Sequence, residues 1–189
     1  IKGQHTFKRE YQSTKRSDVS VDIINLDTKY SFKEVVKLRA LSSVLKTALR
    51  EKIREDKGQT YGFSLNAKLA RYPYEHSKAV IGFTCDPANT DKIIAEIKEI
   101  IANIKRDGAL LPKHLEDFKA QSEISIKKDY EKPEFWQNLI ISNKIFNTPL
   151  YTADEYIDAV KALTNDDIKE AARLYLDEKN MVISINNPK

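Results

Sequence analysis

The sequence predicts an α+β fold, a largely antiparallel or mixed sheet with helices packed on one side. Three observations predict it. The expected elements run strand, strand, helix, hairpin, helices, strand. Residues 61–69 and 79–85 alternate apolar and polar side chains with a period of two, as half-buried strands do. Residues 32–53 and 93–104 instead repeat apolar side chains at helical spacing.

The elements follow in order. Residues 7–12 and 19–26 read as two strands. Towards its end the second is apolar on both faces, as a central strand would be, because Ile24 and Leu26 join Val19, Val21 and Ile23. Ser31 begins the first helix: Ser31 and Glu34 have the spacing of a reciprocal cap, hydroxyl to one free N–H and carboxylate to another. The helical pattern stops at Gly58, and Tyr61 opens the next strand. Pro73 lies in a turn, and residues 78–85 return antiparallel. Asp86 and Pro87 break that strand, and a second helix runs from about Thr90 to Gly108. Pro112 and Pro133 each start a helix, where a missing N–H costs nothing. The fourth helix carries Phe135, Trp136, Leu139, Ile140, Ile145 and Phe146. A short fifth helix contains Tyr156, Ile157 and Val160. Thr164 and Asp167 cap a sixth, and Met181, Ile183 and Ile185 close the chain as a strand.

A length of 189 residues suits one domain, 1–189, with a sizeable core. The 32 basic and 28 acidic residues are interleaved, so nucleic acid, which selects a concentrated basic face, is not indicated. Lys2, Lys8, Arg9, Lys15 and Arg16 make the N-terminal stretch locally basic. Lysines defending an exposed sheet edge explain this as well as an acidic ligand would. One cysteine excludes an internal disulfide, and its place in the strand alternation makes Cys85 a small core residue. No apolar run is long enough for a membrane span. The first residue is Ile1 rather than methionine, so the chain is expected to be a piece of something longer.

The chain is organised around the junction of the first helix with the hairpin. Arg54 lies one turn before the helical stop, and Tyr61 heads the strand. The turn brings a guanidinium and a phenol, both hydrogen-bond donors, to one end of the sheet. Each has a structural alternative. Arg54 suits a helix C-terminus and has Glu51 three residues earlier to pair with, and Tyr61 could simply pack.

The run Ile53-Arg54-Glu55-Asp56-Lys57-Gly58-Gln59-Thr60-Tyr61 resembles the L-R-E-K-x-G-x-x-Y turn of the C-terminal domains of insulinase/pitrilysin-type (inverzincin) zinc metallopeptidases. Phe83-Thr84-Cys85-Asp86-Pro87, the Gly108 to Pro112 spacing and Leu163-Thr164-Asn165-Asp166-Asp167-Ile168 resemble the same domain, and the likeness covers residues 32–188. The resemblance implies that Arg54 and Tyr61 bind peptide substrate across a closed chamber. They would face a zinc ion held by a sister domain, on the same or a separate chain. It also implies a soft preference for the cell envelope, because bacterial relatives are often exported.

The family's H-x-x-E-H zinc motif is absent here. His5, His76 and His114 lie far apart and read as surface or turn histidines rather than a zinc site. No catalytic or metal-binding residue is therefore expected in this chain, and the fragment alone should be inactive. Cys85 has no histidine near it in sequence, and Glu51, Glu55 and Asp56 read as a solvated helix face. Two alternatives stand beside the peptidase reading. One is a non-catalytic partner subunit of the same superfamily. The other is an unrelated α+β module whose basic N-terminal strands hold an acidic ligand.

Overall fold

A computed structural model describes residues 3–11, 15–55 and 60–189, and at Arg54 and Tyr61 it describes the backbone only. The strands are β1 (Gly3–Tyr11), β2 (Ser17–Asn25), β3 (Thr60–Ala70), β4 (His76–Cys85) and β5 (Asn180–Pro188). The helices are α1 (Phe32–Glu55), α2 (Thr90–Asp107), α3 (Pro112–Tyr130), α4 (Pro133–Phe146), α5 (Ala153–Lys161) and α6 (Asn165–Tyr175).

The five strands form one mixed sheet in the order β1-β5-β2-β4-β3. Only β1 and β5 run parallel; the other neighbours are antiparallel. The first strand is thus an edge strand, in keeping with its Lys8 and Arg9. Burial alternates along β4, and Ala79, Ile81, Phe83 and Cys85 are buried with Val19, Val21 and Ile23 of β2 and Met181, Ile183 and Ile185 of β5. Helices α1, α2 and α6 complete this core through residues such as Leu41, Leu45, Ile97, Ile101 and Ile168. Period two in the strands and period 3.6 in the helices together make one apolar layer.

The other face of the sheet is mostly polar, with Val80 and Val182 opposite Asp22. Lys78 pairs with Asp22 at 2.9 Å, and Thr84 donates to Asp18 at 2.8 Å. Ile24 and Leu26 are exposed, contrary to the expectation of a strand covered on both faces. Among the described residues only one face carries helices, so a central position in the sheet does not bring two-sided burial.

The α1 cap forms by half. The Glu34 N–H donates to the Ser31 hydroxyl at 3.1 Å. The Glu34 carboxylate does not complete the reciprocal bond; it accepts the Tyr175 hydroxyl of α6 and lies 3.8 Å from Lys37. Lys37 is itself buried, with Asp167 at 3.0 Å and Glu170 at 3.2 Å. A tertiary ion network has taken the side chain that local spacing assigns to the cap. At Thr152 and Thr164 both halves of the capping box form, with Glu155 and Asp167.

Helix α2 ends at Gly108, whose φ of 83° is one that side-chain-bearing residues rarely adopt. The Asn165 side chain spans this turn, accepting from Ala109 N at 2.8 Å and donating to Asp107 O at 2.7 Å. The C-terminus of α2 and the start of α6 are thereby tied together.

Candidate functional site

The candidate site is the end of the sheet where α1 gives way to β3. Residues 56–59, including the Gly58 pivot, lie outside the described residues. What precedes and follows them is clear. Arg54 is in the last turn of α1, and Tyr61 is the second residue of β3. Thr60 pairs with Cys85, and the next pair is Gly62 with Thr84, so the ladder passes over Tyr61. Such a bulge bends an edge strand and ends regular pairing, a device common beside binding sites. The backbone thus brings the two candidate residues to one corner, beside the Cys85–Asp86 end of β4.

The floor of the corner is tightly built. Cys85 is buried, with its sulfur 3.4 Å from the Thr90 hydroxyl. Burial pushes its thiol above the ordinary value, with the Thr90 bond opposing, so it is a packed core residue and a poor nucleophile. Asp86 accepts from Ala88 N at 2.9 Å and starts a short turn of 3₁₀ helix, Pro87–Asn89. Asp18 and Asn186 lie opposite each other at the same end of the sheet.

The end of α1 is anchored by a pair that sequence reasoning missed. His114 is only 2 % exposed, not the surface histidine expected. Its Nε2 donates to the Glu51 carboxylate at 2.9 Å, and Lys113 lies 3.9 Å from the same group. Glu51 is therefore engaged by α3 and is not simply a solvated acid. Among the described residues the His114 Nδ1 is buried without a partner. The reason is packing: His114, Leu115, Phe118, Ser122 and Ile126 are the buried residues of α3, and α3 lies on α1. That helical spacing was the available signal. It places His114 on the apolar stripe, where a histidine needs a partner.

The remaining histidines lie elsewhere. His5 is in β1, stacked near Phe7, and His76 opens β4, its Nδ1 2.9 Å from the carbonyl of Tyr74 in the preceding turn. Among the described residues, no group of three His, Cys, Asp or Glu side chains is placed to hold a metal ion. No helix among the described residues is long and apolar enough to cross a membrane.

The comparisons agree with this architecture. The family model of the peptidase M16 inactive domain matches residues 5–122. No curated protein sequence matches the chain. Among solved structures, the ferredoxin protease FusC, in complex with Arabidopsis ferredoxin, is 17% identical with a TM-score of 0.83. The match covers 100% of this chain and 21% of that one. The periplasmic protease PqqL from Escherichia coli gives the same identity, TM-score and coverage. A peptidase M16 inactive domain from Pseudomonas fluorescens is 18% identical, with a TM-score of 0.78, over 100% of this chain and 44% of that one. The chain therefore spans between about a fifth and under a half of the solved relatives it matches. The match leaves no place for an unrelated binding module: this chain belongs to the peptidase M16 inactive domain family, the non-catalytic C-terminal domain of insulinase-type peptidases.

Proposed function

We propose that residues 1–189 form one domain of a longer, zinc-dependent endopeptidase and wall its peptide chamber. In this reading Arg54 and Tyr61 donate hydrogen bonds to the bound peptide. The zinc ion and the catalytic base belong to a sister domain, because the residues described here do not fit a metal site.

The observation that carries the reading is the corner itself. The last turn of α1 and the bulged start of β3 bring Arg54 and Tyr61 to one end of the sheet in a chain of this family. Hydrolysis of a peptide bond places negative charge on the former carbonyl oxygen. A phenol O–H and a guanidinium held against that oxygen stabilise it without giving up a proton near neutral pH. Loss of one such donor typically costs about 10²–10³ in rate. The mostly polar face of the sheet offers groups such as Asp18, Asp22 and Lys78 to an aqueous chamber.

The test uses the full-length protein. Tyr61→Phe should lower kcat by about 10²–10³ while leaving the unfolding midpoint unchanged. Wild-type turnover in both Tyr61→Phe and Arg54→Ala would overturn the site assignment. A parent protein with no zinc-dependent peptidase activity would move the chain to the non-catalytic subunit reading.

A further inference from the structure

Helix α4 departs from the pattern of its neighbours. Seven of its 14 residues are apolar, and they are spread around the helix rather than gathered in one stripe. Bulky apolar side chains on a helix are ordinarily turned towards a core. Yet no residue of α4 is buried. Ile140 is 50 % exposed, Ile141 43 % and Ile145 64 %. Leu150 and Tyr72 are exposed as well, and the Tyr72 ring lies 5.6 Å from that of Phe146, so hairpin and helix share one patch. Even the inner side of α4 is loosely seated: Phe135 and Leu139 line a cleft of about 320 Å³ against α1.

We propose that the outer face of α4, with Leu150 and Tyr72, is the seam on which another domain of the same polypeptide docks. This rests on the reading of residues 1–189 as one domain of a longer peptidase. The occupant follows from two observations. Helix α4 carries only two ionisable side chains, Glu134 and Lys144, of opposite sign, its other polar residues being uncharged, so the surface that it fits is neither acidic nor basic. A membrane-surface helix would carry several lysines and arginines along its polar side, and α4 has a single lysine. In the solved relatives this fold makes up 21% to 45% of the chain, so it has further polypeptide of its own chain to pack against. Docking of the kind seen between domains would remove the exposed isoleucines from water.

The test is thiol labelling of the native full-length protein carrying Ile145→Cys, measured against Glu99→Cys, an exposed position on α2. Cys85 is buried and adds little background. The seam predicts maleimide labelling of Ile145→Cys at least about tenfold slower than the control, independent of protein concentration, because a docked face reacts only through local opening. Equal rates would overturn it. Protection that disappears on dilution would replace the companion domain with a second copy, and protection that needs anionic vesicles would replace it with a membrane surface. Either result overturns the proposal. Slow labelling in a protein without peptidase activity would leave the seam standing and remove only the functional reading. Equal labelling in an active peptidase would remove only the seam.

Discussion

Helices α2 and α4 are both rich in isoleucine and bulky apolar residues, and the chain treats them in opposite ways. In α2 the isoleucines 93, 94, 97, 100, 101 and 104 fall on one stripe and all six are buried. In α4 the apolar residues point in several directions and none is buried. The stripe of α2 is a surface that the chain itself closes; the scattered apolar residues of α4 are ones that it leaves open. The comparison separates two uses of the same residue type that composition alone cannot distinguish.

Alanine substitution breaks or sustains the comparison most directly. Ile101→Ala should cost about 2–5 kcal/mol in denaturant unfolding of the 189-residue chain, because the cavity is fully enclosed. Ile145→Ala in the same chain should cost less than about 0.5 kcal/mol. Similar losses at both positions would show that α4 is held as firmly as α2.

The two helix ends sharpen the contrast on a smaller scale. Helix α2 stops at Gly108 with φ 83°, and α4 stops at Asn147 with φ 50°. A methyl group at Gly108 would overlap the Asn165 amide that ties α2 to α6. Gly108→Ala should therefore destabilise by about 1–3 kcal/mol, from backbone strain and loss of that tie. Asn147→Gly should change stability by less than about 1 kcal/mol, since glycine suits the left-handed conformation. Thermal unfolding of the two variants checks both.

The smallest expected effect is electrostatic. Lys37 joins α1 to Asp167 and Glu170 of α6, whereas among the described residues no ion pair involves α4. Burial alone would raise the Asp167 carboxyl, but the Thr164 bonds and Lys37 outweigh it and hold it below the ordinary value. A depressed folded value means that the pair stabilises the protein above the unfolded pKa of about 3.9. That contribution fades as pH falls through the lower folded value. The unfolding midpoint should drop on acidification from pH 5 to pH 3, and Asp167→Asn should drop less over the same interval. An equal fall in both would assign the acid sensitivity elsewhere.

Much of this architecture was legible because it is written in local spacing. Period two marked β3 and β4, and period 3.6 marked α1 and α2. Gly108, Pro112 and Pro133 fell at the expected boundaries. The failures share a cause: each turned on what lies opposite a residue in space. Glu34 was assigned to a cap and was taken by Tyr175 from the far end of the chain. His114 was placed on the surface because nothing near it in sequence revealed Glu51. Ile24 and Leu26 were expected to be covered because their strand is central, but β2 ends at Asn25 and, among the described residues, no helix covers Ile24. The candidate site was legible in part. Sequence order alone carries Arg54 to the end of α1 and Tyr61 to the start of β3. The bulge at Tyr61 and the anchoring of α1 by His114 were not, since both depend on neighbours remote in sequence.

The pairing of β1 with β5 has a mechanical consequence. These strands are parallel and in register from Gly3 opposite Asn180 to Tyr11 opposite Pro188. Tension applied before Gly3 and beyond Pro188 would slide them past each other, loading the rungs of the ladder together. The antiparallel hairpin of β3 and β4, pulled apart at its open end, would instead release its rungs one at a time. Evenly spaced parallel hydrogen bonds make the first arrangement a shear clamp. The strand pair through which neighbouring segments would pull is therefore set in the geometry that best resists being pulled open.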